Sequence, residues 1–246
     1  KHSGHWMNVW AQLTEPNETG QGAIIEQLGD EAGGDDDADD AYTHGGTRFQ
    51  ALSAAGGVAA GTIGAYTHYA PLQFWFCRNP GLALPLIALQ YHEVKLKVNY
   101  ASTYHTTSVI SVWCDYIYLD TDERRRFAQV SHEYLIEQVQ EQNLAASTTS
   151  ELNFNHPVKE LIWTGVPDTT TDTPAALTGD FHLKLNGHDR MAARNFSYFT
   201  RAQVWQHHTG YGSILTRDGI AVYSFALKPE EHQPSGTCNF SRIDNA

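Results

Sequence analysis

Apolar residues recur along this chain in two rhythms. Near its start Trp6, Trp10 and Leu13 fall at helical spacing ahead of Pro16, which predicts a short amphipathic helix with one aromatic face on a core. Periodicity is then lost from residue 17 to 65, where an acidic run and Gly56, Gly57, Gly61 and Gly64 predict a long surface loop. From Pro71 the rhythm shortens to two. Phe74-Trp75-Phe76 reads as a strand and Asn79-Pro80-Gly81 as a turn. Val94, Leu96, Val98 and Tyr100 then alternate with Lys95, Lys97 and Asn99, predicting apolar side chains in a sandwich core and both lysines outside it. Residues 109 to 119 are apolar or aromatic on both faces, as in a central strand covered on both sides.

A charged break follows from Asp120 to Gln129, where Asp120 or Thr121 can cap a helical turn. A domain boundary is placed near residue 130. Short strands are predicted at Tyr134 to Val139, Leu152 to Phe154, Leu161 to Trp163, Phe181 to Leu185 and Ile220 to Leu227, with a tight turn at Asn186-Gly187. Many short strands, long polar connections and only short helices predict an all-β chain of the sandwich or jelly-roll kind.

A length of 246 residues suits one large domain or two smaller ones, and 41% apolar with 11% aromatic residues is enough for a packed core. The most apolar stretch, Leu82 to Leu89, is far shorter than the roughly 20 residues of a membrane helix, so no transmembrane segment is predicted. The net charge is −12. Asp30, Glu31, Asp35, Asp36, Asp37, Asp39 and Asp40 supply more than half of it, making the acidity mainly a local property. A chain so poor in clustered Lys and Arg is not expected to bind nucleic acid directly. Residues 30 to 46 are expected to be mobile and dispensable to folding, because neighbouring Asp side chains repel one another. Cys77, Cys114 and Cys238 form no C-x-x-C pair; the first two lie in apolar runs and are expected to be small buried hydrophobes in a protein folded under reducing conditions. The chain opens on Lys1-His2 and stops at Ala246 in an unfinished polar and apolar stretch, and is read as an internal piece of a longer protein.

Candidate chemistry is sparse. His92-Glu93 and His132-Glu133 are adjacent pairs, but neighbours on a strand point to opposite faces, and neither H-E-x-x-H nor H-x-H occurs. The run from Asp35 has Asp40 where a calcium loop needs Gly and Gly46 where it needs Glu. No metal site and no cofactor are therefore assigned. Nucleophile-elbow, phosphate-loop and dinucleotide motifs are missing, and nothing pairs the carboxylates Glu93, Asp115 and Glu133, so no catalytic residue is assigned either. Glycosylation triplets begin at Asn17, Asn195 and Asn239; Asn17 and Asn195 are retained as candidate acceptors. Gln233-Pro234-Ser235-Gly236 reads as a corner.

Four blocks carry more: GLALPLIALQYHEVKL at 81–96, VWCDYIYLDTDERRRFAQVSHEYLIEQVQ at 112–140, LNFNHPVK at 152–159 and YSFALKPEEHQPSGTCNFSRIDNA at 223–246. Together they resemble the major capsid protein of nucleocytoplasmic large DNA viruses, in the form found in viruses of algae. The resemblance implies two consecutive jelly rolls, both incomplete here, with residues 1–130 the later part of the first and 131–246 the earlier part of the second. It implies a non-enzymatic virion protein, assembled in the host cytoplasm, whose homotrimers form pseudo-hexagonal capsomers of an icosahedral shell beside minor capsid proteins. Residues 17–65, 165–180 and 200–219 do not match the family pattern and read as loop insertions. The rival expectation is a jelly-roll carbohydrate-binding or carbohydrate-active module, motivated by aromatic residues that could stack on sugars.

Overall fold

A computed structural model describes residues 1–17, 46–53, 67–100, 109–144, 147–166, 174–213 and 218–246. It divides into a larger unit, Lys1–Gln73 with Gln138–Ala246, and a smaller one, Phe74–Glu137. In the larger unit the predicted amino-terminal helix is α1, Gly4–Thr14, capped by the Ser3 hydroxyl, which accepts from Trp6 N–H. It ends before Pro16, whose ring locks φ and removes a donor. A second helix, α2 (Arg48–Ser53), lies inside the stretch read as structureless and corrects that reading. It is tied to α1 by Gln50 Nε2 donating to Asn8 Oδ1 at 2.9 Å and by Phe49 N–H donating to Glu15 at 2.9 Å. The acidic run Asp30 to Asp40 and most of 17–65 lie outside the described residues.

Ladders among the described residues are short and antiparallel. β1 (Pro157–Val158) pairs with β8 (Cys238–Asn239), and β2 (Glu160–Thr164) with β7 (Ile220–Ser224). β3 (Asp180–Phe181) pairs with β6 (Arg194–Asn195), and β4 (Lys184–Leu185) with β5 (His188–Asp189). The last pair closes on Asn186 (φ 51°) and Gly187 (φ 77°), the left-handed two-residue turn that Asn-Gly predicts. The predicted strand at 181–185 is interrupted at His182-Leu183.

The core gathers on the β2–β7 ladder. Side chains two apart share a face, so Ile220 and Val222 point the same way and Ile162 stands opposite Val222. On that face α1 lays Val9 and Leu13, four residues apart, and Val204 from α5 (Gln203–His207) closes the cluster. A π-helical turn, Tyr198–Ala202, precedes α5 and buries Phe199, whose ring lies 5.3 Å from Trp163 and 5.9 Å from Phe181. Elsewhere in this unit, side chains take the part of a ladder. Gln142 donates to Glu151 O and accepts from Asn153 N–H, while Gln140 does both with Asn155. Residues 138–144 and 151–155, expected to contain strands, are extended segments bridged by these amides.

The smaller unit departs most from the pattern. Phe74-Trp75-Phe76 is not a strand: Trp75–Arg78 forms one helical turn, α3, with Cys77 N–H donating to Phe74 O. The Phe74 and Phe76 rings stack at 5.3 Å, a local gain that needs no second strand. Asn79 caps the 3-10 turn Pro80–Leu82, and Asp120 caps α4 (Thr121–Gln129) through Glu123 N–H, both as the turn and cap residues predict. Residues 94–100 and 109–119 join no ladder among the described residues. Val94, Leu96 and Val98 are exposed, as are Lys95 and Lys97, so no core receives the alternating face. Trp113 is 88% and Tyr118 92% exposed, against the covered central strand expected there. Cys77 and Cys114 are exposed rather than buried. One cause accounts for all of these: period two selects a face, but only a second layer buries it, and none lies on these residues among those described.

Leu13→Ala should cost about 2–5 kcal/mol, because a fully buried side chain leaves a cavity. Leu96→Ala should cost under about 1 kcal/mol in this chain, its side chain being 44% exposed. Urea unfolding of the two variants checks the contrast; equal losses would contradict it.

Candidate functional site

The last turn of any helix leaves carbonyl oxygens without partners. In α1 these are met from far along the sequence. Gly210 N–H donates to Leu13 O at 2.7 Å, Gly212 N–H to Gln12 O at 3.0 Å and Thr209 Oγ1 to Thr14 O at 2.7 Å. The approach is too close for a side chain: a Cβ on Gly210 would stand 2.6 Å from Leu13 O. Gly212 has φ +75°, which glycine adopts without strain. Residues 209–212 thus form a cap for α1.

Immediately before this cap lies His208, its side chain fully buried between two carboxylates. Nε2 is 2.9 Å from Glu160 of β2 and Nδ1 is 3.0 Å from Glu230. Glu230 also accepts from Thr209 N–H at 2.8 Å, and its Oε2 lies 2.9 Å from Thr209 Oγ1, whose single proton it shares with Thr14 O, so the cap and the ion cluster share a carboxylate. The Trp10 ring meets His208 edge-on at 6.3 Å. Burial alone would push the imidazole down; hydrogen bonds to Glu160 and Glu230, with their charges, outweigh it and raise the value to about 9. At neutral pH both nitrogens donate and the ring is an imidazolium. Glu160 shares the core face of β2 with Ile162 and Thr164, and His5 Nε2 lies 3.4 Å from Thr164 Oγ1. Helix α1 therefore lies along that face from Thr164 at one end to the His208 cluster at the other.

The residues singled out in the sequence are scattered. His92 and Glu93 are exposed, and Glu93 pairs with Lys95 at 2.9 Å. His132 stacks on Phe127 at 5.0 Å and lies 2.8 Å from the Phe127 carbonyl oxygen, while Glu133 is exposed. Among the described residues no three His, Cys, Asp or Glu side chains are grouped to hold a metal ion. Asn195 is exposed, with its Oδ1 accepting from Ser197 Oγ at 2.9 Å; Asn17 is only 4% exposed. The corner at 233–236 is held by Ser235 Oγ accepting from Lys228 N–H at 2.8 Å. Sequence reasoning missed His208 and its partners because they lie 48 and 22 residues apart. The one local signal was Glu160, a lone charge in register with the inward residues of an apolar strand.

The His208 pairing carries a definite pH dependence. Its folded value lies above the ordinary 6.5, so its stabilisation is complete below that pH and is lost as pH rises through about 9. The difference is on the order of 3 kcal/mol. Urea stability should fall between pH 7 and 10 in the native chain and stay flatter in His208→Gln; parallel slopes would contradict the pairing. His208→Ala, which leaves two partly buried carboxylates facing each other without their cation, should cost about 3 kcal/mol or more at pH 7 by the same measurement.

Comparison with known proteins covers both halves of the chain. Residues 1–120 match the family described as major capsid protein N-terminus, and residues 123–246 the large eukaryotic DNA virus major capsid protein. The major capsid protein of Pyramimonas orientalis virus is 44% identical over 100% of this chain and 64% of its own length. That of Paramecium bursaria Chlorella virus 1 is 44% identical over 72% of this chain and 53% of its own. Among solved structures, the quasi-atomic model of the PBCV-1 virus capsid is similar at TM-score 0.53 and 40% identity, over 72% of this chain and 56% of that one. The crystal structure of PBCV-1 VP54, fitted into a reconstruction of the virophage Sputnik, gives TM-score 0.54 and 42% identity. The chain spans between about half and two-thirds of the length of these curated relatives. With two adjoining family matches and this identity along its whole length, the chain belongs to the major capsid protein family of large eukaryotic DNA viruses.

Proposed function

We propose that this chain is the greater part of a structural subunit of an icosahedral virus shell, built on two consecutive jelly rolls and working by self-assembly rather than catalysis. The observation that carries the reading is the pair of adjoining family matches, 1–120 and 123–246, in one chain 44% identical to an algal-virus major capsid protein. Their junction supports a division near residue 130, residues 1–130 belonging to the first jelly roll and 131–246 to the second. The bare apolar residues around Trp113 and Tyr118 support further strands over them, since a jelly roll buries both inner faces between packed sheets.

In this reading three subunits form a pseudo-hexagonal capsomer, and capsomers meet one another and minor capsid proteins in a virion assembled in the host cytoplasm. A cyclic trimer of this kind holds together through obligate interfaces on the order of 2,000 Å² or more. The acidic balance of the chain argues against direct contact with the packaged nucleic acid. Among the described residues no helix is long and apolar enough to cross a membrane. Of the two candidate glycan acceptors, Asn195 is the better presented, because its side chain reaches solvent and that of Asn17 does not.

Sedimentation of the full-length protein tests the proposal. A stable trimer without enzymatic turnover is expected; a well-folded strict monomer with turnover would overturn it.

A further inference from the structure

The family matches assign helix α1 to the first family region and strands β2 and β7 to the second, yet α1 packs on those strands. We infer that residues 208–212 are a docking clasp built to seat this helix, so that the start of the first family region is fastened to the second by contacts separable from the β2–β7 ladder. The inference rests on the contacts and on family membership, and stands whether or not the trimeric shell does.

Three features make this a built seat rather than a chance apposition. The cap is specific to the helix end: three successive carbonyls, Gln12, Leu13 and Thr14, receive Gly212 N–H, Gly210 N–H and Thr209 Oγ1. The fit demands glycine at 210, where any Cβ would overlap α1 backbone. Finally, the cap is anchored from behind, because Thr209 and His208 share Glu230, while His208 reaches Glu160 at the end of β2. The ladder has its own, separate bonds, five residue pairs from Glu160↔Ser224 to Thr164↔Ile220. Loss of the clasp thus frees the helix end while leaving the ladder bonds intact.

Hydrogen exchange on the intact chain, followed by peptide mass spectrometry, separates the two. Thr209→Val, nearly isosteric, removes the hydroxyl whose one proton lies between Thr14 O and Glu230 Oε2 and should speed exchange of α1 amides roughly tenfold. Gly210→Ala should speed it further, and Glu231→Gln, in the same loop as Glu230 but paired outward to Lys228, should leave it unchanged. In all three variants the amides of residues 220–224 should stay within about threefold of the native rate. Unchanged α1 exchange in Thr209→Val would overturn the inference. So would an equal rise in α1 and in 220–224, because helix and ladder would then be one cooperative unit without a separable clasp. Should Gly210→Ala fail to fold, Thr209→Val decides the question alone.

Discussion

The larger unit depends on one buried positive charge. An imidazolium enclosed by protein is tolerated only if its charge is matched and its protons are satisfied, and Glu160 and Glu230 do both for His208. The requirement spreads outward. Glu160 sits at the end of β2 facing inward, opposite Ser224 of β7, and Glu230 turns back toward the cap, where it accepts from Thr209 N–H. Helix α1 then fills the remaining space, with Trp10 against the imidazole and Val9 and Leu13 over Val222 and Ile220. The polar cluster gives position, and the apolar face beside it supplies most of the stabilisation.

Among the described residues of the smaller unit there is no comparable buried ion cluster. The unit's contacts include the Phe74 and Phe76 stack and two pairs distant in sequence, Arg78 with Glu137 at 3.1 Å and Tyr134 Oη donating to Ala83 O at 3.4 Å, the Arg78–Glu137 pair only partly buried. The alternating residues 94–100 and the doubly apolar stretch 109–119 have the composition of sheet interior and the exposure of surface. Extended apolar segments left exposed invite edge pairing and aggregation. On the proposed reading, a second sheet layer would cover what is bare here.

What was legible in the sequence was whatever a few neighbouring residues decide. The helical spacing of Trp6, Trp10 and Leu13, the Asp120 cap, the Asn186-Gly187 turn and the apolar runs that became β2 and β7 were all read in place. Phe74 to Phe76 misled because three aromatic residues fit a strand or a helical turn equally well, and only the neighbourhood arbitrates. The extended segments bridged by Gln140 and Gln142 were legible as extended but not as unladdered, since side-chain amides replace backbone pairing without changing the polar pattern. The His208 cluster was invisible because its three members come from separate parts of the chain and no spacing rule links them. Family resemblance reached the right family through blocks that contain Glu230 and adjoin Glu160, while His208 lies in a stretch set aside as an insertion.

The central claim, that this chain is the greater part of a shell subunit whose bare faces are covered in the complete protein, is tested most directly by electron cryomicroscopy of the full-length assembled protein. A map in which Trp113 and Tyr118, on opposite faces of one strand, are both covered by packed protein within a threefold capsomer is the expected result. A complete, well-ordered subunit in which those two side chains remain in solvent, with no threefold assembly around it, would contradict it.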